Sequence, residues 1–208
     1  MNYTTYYEEC ENITEERYGE LKCLLEASEP KKKFQSFHLR KLEFRGANVQ
    51  KAVPQFYFCV KNRDEKEIYL EKKYQQNGIY FKKCAQLTRE ECDRILRGDV
   101  EWMKSHKKGL FNDFYRQVSL NHLSPGRVTD YDREMLKCKK EGYVTFIKRI
   151  DRATGQAKSL FEEPEFLIPC LDKGEVLVTY KKEVLLPAVL VSVMQIQEDK
   201  ESDLAFLF

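Results

Sequence analysis

The 208-residue chain has no apolar run approaching the roughly 20 residues that cross a bilayer. Its opening stretch, MNYTTYYEEC, is polar and acidic where a signal peptide is basic and then apolar. No membrane segment is expected, and a cytoplasmic location is. The seven cysteines include no CxxC pair and are odd in number, which fits reduced thiols better than a disulfide frame or a zinc site. His38, His106 and His122 are scattered, and each is expected to be structural or exposed. Walker A, GxSxG and HExxH motifs are missing, as are internal repeats and low-complexity tracts. An excess of one charge is also missing: 36 basic and 34 acidic residues leave a formal +2. That balance gives no bulk attraction to nucleic acid or membrane, so any anion site must be local. No nucleic-acid partner is expected.

What is present is foldable material. Hydrophobic residues make up 42% and aromatics 12%, which excludes disorder. The length suits a single domain, residues 1–208, with a real core. The most informative stretch is EIYLEKKYQQNGIYFKKCAQLTREECDRIL, residues 67–96. Asn77-Gly78 between two alternating runs predicts a two-residue type I′ hairpin. Its register sets Gln76 opposite Ile79, Tyr74 opposite Phe81 and Lys73 opposite Lys82. One face then holds Tyr69, Glu71, Lys73, Tyr80, Lys82 and Cys84. The other holds Ile68, Leu70, Ile79, Phe81 and Ala85 and must be a core face, although Lys72 and Lys83 share it. Facing lysines repel. Either they point into water with Glu71 nearby, or an anion lies between them.

Tyr18–Leu25 alternates as a first strand would, with Glu20 and Lys22 on one side. Residues 37–45 and 55–62 predict the next strands. Thr88-x-x-Glu91 is a capping box opening a short helix that stops near Gly98. Leu110, Phe111, Phe114, Tyr115 and Val118 recur at helical spacing, predicting an amphipathic helix over 109–121. Ser124-Pro125-Gly126 reads as a turn before a strand at 127–134, followed by a strand at 143–150. Residues 151–173 read as loop, and 175–184 as the last clear strand. Pro187 starts a final element, helix or strand, running to about Gln197. Seven or eight hairpin-linked strands with two or three helices make an α+β fold. The expected architecture is an antiparallel sheet curling into a barrel, helices packed outside.

The charged residues repeatedly share one strand face: Glu20 with Lys22, Glu71 with Lys73, and Arg127 with Thr129, Tyr131 and Arg133. Thr179 and Lys181 share another. An open sheet with one solvated face gives the same pattern. If the sheet closes, that face lines an interior, where a polyanion turns lysine repulsion into attraction.

At this point IYLEKKYQQNGIYFKKCAQLTREECDRILRGDVEWM, PGRVTDYDRE and EVLVTYKKEVLLP resemble successive motifs of the VTC (vacuolar transporter chaperone) domain. That is the bacterial polyphosphate polymerase branch of the CYTH-like triphosphate tunnel metalloenzymes. The family motifs read LEKK…NG…K…LTREEC, then DYxRE, then LLEVKYxxxLP, and the match spans about residues 67–187. YGELK, LEFR and QFYFCVKN resemble the family's earlier strands more loosely. The resemblance implies a triphosphate tunnel fold with phosphate bound by Lys22, Lys73, Lys82, Arg133, Arg152 and Lys181. It implies Mn²⁺ or Mg²⁺ at Glu20 and Glu71, and polyphosphate or a nucleoside triphosphate as ligand. The activity implied is polyphosphate elongation from the γ-phosphoryl of a nucleoside triphosphate.

The chain departs from the family where catalysis is concentrated. Tyr57 and Cys59 stand at an Arg-x-Arg pair, Tyr143 and Ile147 at an arginine and an aspartate, and Thr179 at the metal-binding glutamate. The chain ends at LAFLF without the family's terminal Ser-Lys-Tyr, so the domain is expected to be shortened and divergent at both ends. Phosphoryl transfer depends on positioning and charge neutralisation. Weak or lost catalysis is therefore expected. The alternatives are a non-catalytic module that binds polyphosphate, nucleotide or a protein partner, and, less favoured, a tunnel-type triphosphatase.

Overall fold

The computed structural model describes residues 2–6, 8–46, 54–76, 79–138 and 142–181. Its elements in chain order are β1 (Asn2–Tyr6), β2 (Glu8–Thr14), α1 (Glu15–Ser28), β3 (Gln35–Arg45) and β4 (Gln55–Lys61). The hairpin strands β5 (Ile68–Gln76) and β6 (Ile79–Leu87) follow, then α2 (Arg89–Leu96), a 3-10 turn at Glu101–Met103 and α3 (Gly109–Asn121). The chain continues with β7 (Ser124–Lys137), β8 (Tyr143–Ala153), β9 (Leu167–Pro169) and β10 (Glu175–Lys181). This is an α+β fold built on an antiparallel sheet with the order β1-β6-β5-β4-β3-β7-β8-β10-β2, and β9 attached to β8. No described helix is long and apolar enough to cross a membrane.

The expected closure into a barrel is corrected: among the described residues the ladder is open, ending on β1 and β2. These strands adjoin in the chain, with only Tyr7 between them, but their hydrogen bonds go elsewhere. Residues 2–6 of β1 pair with β6, and residues 8–14 of β2 pair with β10.

The chain divides into two compact units, and β7 and β8 each run through both. In the first unit (1–6, 37–131 and 150–170), α2, the 3-10 turn and α3 cover one sheet face. Both helices form for local reasons. Thr88 caps α2 by accepting from the Glu91 amide at 3.1 Å while the Glu91 carboxylate accepts from the Thr88 amide at 2.8 Å. That is the reciprocal capping box. Helix α3 buries Leu110, Phe111 and Phe114, and Phe114 meets Phe44 and Phe56 edge-on at 4.9 and 5.3 Å. Removing so enclosed a ring costs about 3–5 kcal/mol.

In the second unit (7–36, 132–149 and 171–208), α1 lays Leu21 and Leu25 against Leu136, Val144, Phe146, Val176 and Val178. This corrects the strand expected at 18–25. Thr14 caps the helix, accepting from the Arg17 amide at 3.2 Å, and Glu15 and Glu16 fill its first turn, where the helix dipole favours acids. YGELKCLL contains no β-branched residue to hold it extended, and its leucines at i and i+4 serve a helix face equally well.

A second correction concerns Ser124-Pro125-Gly126, which opens β7 instead of forming a turn before it. Glycine is needed there because β7 presses on β3. A Cβ at Gly126 would meet the Glu43 side chain at 2.9 Å and its carbonyl at 3.2 Å. The strands at the N-terminus, β1 and β2, were not foreseen. Asn77-Gly78 and the final element from Pro187 lie outside the described residues, whereas the flanking hairpin register is as expected, with Lys73 opposite Lys82.

Candidate anion-binding face of the first unit

Strand alternation builds this face. Leu42, Phe44, Phe56, Phe58, Leu70 and Ala85 point into the helix-covered core, so Lys41, Tyr57, Cys59, Glu71, Lys73, Lys82 and Cys84 project from the other side. Lys72, on the core side, reaches Asp113 of α3 at 2.8 Å. The register sets Glu71 between Tyr57 of β4 and Cys84 of β6.

Glu71 is 4% exposed. One carboxylate oxygen meets Lys82 Nζ at 2.6 Å and the other meets Lys41 Nζ at 3.4 Å. The Lys41 ammonium also lies over the rings of Tyr57 and Tyr131, at 5.5 and 5.7 Å. Burial pushes the Glu71 carboxyl up, but Lys82, Lys41 and Lys73 outweigh it and hold it well below the usual range. Burial lowers Lys82, and Glu71 more than restores it. Three ammonium groups thus surround one ionised carboxylate. Burial drives Tyr57 and Cys59 up to about 12 each, so both are neutral at neutral pH.

The other expected residues fall in different places. Arg152, of the first unit, alternates with Ala153 of the helix-side core, and its buried Nε has no hydrogen-bond partner among the described residues. In the second unit, Glu20 stands on the exposed surface of α1, paired with Arg17 at 2.7 Å. Lys22 also rides on α1, bound to Tyr18 at 3.0 Å and to Glu134 at 2.9 Å. Those two hydrogen bonds hold its ammonium above its ordinary value despite partial burial. The strand face assumed for Glu20 and Lys22 does not exist, because the segment is helical. Arg133 has a buried Nε with no hydrogen-bond partner among the described residues. Thr179 sits directly opposite Thr145, both fully buried and both with hydroxyl oxygens that have no hydrogen-bond partner among the described residues. The Lys181 side chain lies outside the described residues.

Two features escaped the sequence reading. Lys41 had a signal: it alternates with the apolar Leu42 and Phe44. The second had none. Arg40, beside it, turns to the helix side and clamps Asp130 with two 2.7 Å hydrogen bonds. Its remaining donors reach Glu163 at 2.9 Å and the carbonyls of Glu162 and Leu160 at 3.1 and 3.5 Å. Burial opposes ionisation of Asp130, yet the bonds from Arg40 and His38 hold its carboxyl at about 2.

The donor set does not fit the implied Mn²⁺ or Mg²⁺. Such ions take mostly oxygen ligands, usually including one or two carboxylates. Glu71 stands among lysine ammonium groups, Glu20 is paired with Arg17 on the exposed surface of α1, and no group of three His, Cys, Asp or Glu residues assembles among the described residues.

No curated protein matches this chain. Among solved structures it is similar to a putative adenylate cyclase from Bacillus halodurans, with 13% identity, a TM-score of 0.59 and full coverage of both chains. It is also similar to a chain of the Schizosaccharomyces pombe Mediator head module, with 8% identity and a TM-score of 0.51, covering 91% of this chain and 89% of that one. Both are likenesses of fold alone. The sequence match is of another kind: the VTC domain model matches residues 55–167, more than half of the 208, and the chain belongs to the VTC domain family.

Proposed function

We propose that this protein binds linear phosphate chains, polyphosphate or the triphosphate of a nucleotide, on the lysine face of the first unit, with phosphoryl transfer weak or lost. The observation that carries the reading is one strand face on which Lys82 and Lys41 meet Glu71 at 2.6 and 3.4 Å and Lys73 stands opposite Lys82. A phosphate chain supplies closely spaced anionic oxygens that match closely spaced ammonium groups on one strand face. Arg152, on the strand face opposite the helix-side core, is a further donor in this proposal. Family membership supports the same ligand class.

Weak catalysis follows from the neutral Tyr57 and Cys59 at positions where the family motif has arginines, and from the poor metal fit. Phosphoryl transfer needs those charges to neutralise the transition state. Arg133 and Lys181 remain candidates of the second unit for the same ligand. Lys22 is engaged with Glu134 and is not included.

The test is calorimetry of the whole chain with tripolyphosphate at low and high salt. Binding at low salt that weakens at high salt supports the reading, and no heat and no thermal shift at low salt overturns it. Incubation with ATP and Mn²⁺, followed by a polyphosphate gel, separates binding from polymerisation. A strong polyphosphate ladder would restore the polymerase reading.

A further inference from the structure

We infer that phosphate chains bind to this protein as the metal-free polyanion, and that divalent cations weaken the binding instead of assisting it. The inference rests on the lysine-face reading and specifies the ionic form of the ligand that this face takes.

The argument comes from where the carboxylates are engaged. A protein-held Mg²⁺ needs carboxylate oxygens with lone pairs to give. Glu71 has Oε1 at 2.6 Å from Lys82, while Oε2 is buried without a hydrogen-bond partner among the described residues and faces the Lys41 ammonium at 3.4 Å. Asp130 has both oxygens in the Arg40 fork at 2.7 Å. Glu134, in the second unit, accepts from Lys22 at 2.9 Å and Tyr18 at 2.8 Å on one oxygen, and meets Lys148 at 2.8 Å on the other. Glu43, which alternates with Leu42 as Lys41 does, is engaged by Arg45 at 2.8 Å. Among the described residues of the second unit, the buried side-chain atoms without a hydrogen-bond partner are the Thr145 and Thr179 hydroxyls and the Arg133 Nε, and none of them belongs to a carboxylate. A divalent cation approaching Glu71 must also displace an ammonium group and meet the repulsion of the others. The phosphate chain loses by bringing the cation along, because each coordinated Mg²⁺ cancels charge that the lysines would otherwise attract. Glu71 then acts as an internal counter-ion that keeps the lysines together until the ligand replaces it.

The experiment is calorimetry of the whole chain with tripolyphosphate in EDTA and in millimolar Mg²⁺ at matched ionic strength. The expected result is binding in EDTA that weakens about tenfold in Mg²⁺, the scale of one charge removed from a partly desolvated contact. Equal or tighter binding in Mg²⁺ overturns the inference and leaves the lysine-face reading intact. No binding in either arm removes that reading and the inference with it. Glu71→Gln adds a second sign test. A counter-ion predicts tighter binding in EDTA once the competing charge is gone, whereas a metal ligand predicts equal binding there and a loss in Mg²⁺. If Glu71→Gln does not fold, the comparison on the unaltered protein decides alone.

Discussion

Arg40 and Lys41 are neighbours on β3, are nearly equally buried at 1% and 5% exposure, and enter two unlike charge clusters on opposite faces of the first unit's sheet. On the helix side, the Arg40 guanidinium places its donors on Asp130, Glu163 and two carbonyls. Its planar fork matches the carboxylate, so the cluster is closed within the protein. On the other side, three point-charge ammonium groups crowd a single carboxylate. The lesson is that burial of charge does not distinguish structure from function here. The kind of cationic group does, a planar fork matched to its carboxylate against several point charges on one face. The satisfied Arg40 cluster holds the loop carrying Leu160 and Glu163 to the sheet, and a face with several ammonium groups is suited to an external anion.

The largest effect is expected on the satisfied side. Asp130→Ala leaves Arg40 buried without its main partner, which costs about 3–5 kcal/mol. Urea denaturation should show that loss, while the fraction that stays folded keeps its tripolyphosphate affinity. A variant that lost affinity and kept its stability would reverse the roles assigned to the two faces.

Next comes the lysine side. Lys82→Met removes a charge-assisted contact to phosphate, worth about 1.5–3 kcal/mol, so tripolyphosphate affinity should fall by roughly tenfold or more in calorimetry. Unchanged affinity would place the ligand elsewhere.

Acid titration gives an effect of similar or smaller size. The Asp130 carboxyl is depressed in the folded protein to about 2 from an ordinary 3.8. Its contribution is therefore complete above about pH 4 and is lost as pH falls from about 4 through 2. The loss is of the order of 2 kcal/mol. Stability measured across that window should decline, and in Asp130→Ala that part of the decline should be missing.

The smallest effect is expected at Glu20, which faces solvent on α1 beside Arg17. Glu20→Gln should change stability by no more than about 0.5 kcal/mol and should leave tripolyphosphate binding unchanged in both EDTA and Mg²⁺. A Mg²⁺-dependent loss would return Glu20 to a metal-binding role.

Much of the candidate site was legible where the chain constrains itself locally. Glu71, Lys73 and Lys82 followed from one inference, a two-residue loop at Asn77-Gly78 that sets the register of both flanking strands. The α2 capping box and the 3.6-residue spacing of α3 were equally local. The Tyr18–Leu25 segment failed because eight residues alternating loosely in polarity satisfy a strand and a helix alike. The deciding signal, Thr14 with Glu15 and Glu16, lies just before it. Lys41 was readable from its alternation with Leu42 and Phe44, but nothing local joined β3 to Glu71.

The sequence by itself determined the α+β class, the hairpin and its facing lysines, two of the three helices, and the VTC family, because each rests on residues within a turn or a strand of one another. Tertiary structure alone decided that Lys41 joins Glu71 across 30 positions, that Arg40 turns away to Asp130 across 90, and that α1 is helical over the strands it covers. It also left the ladder open among the described residues. Those outcomes depend on which strands pair and which face each strand gives to its helix. Non-local pairing is selected by the burial of whole faces at once, and no short stretch of sequence carries that information.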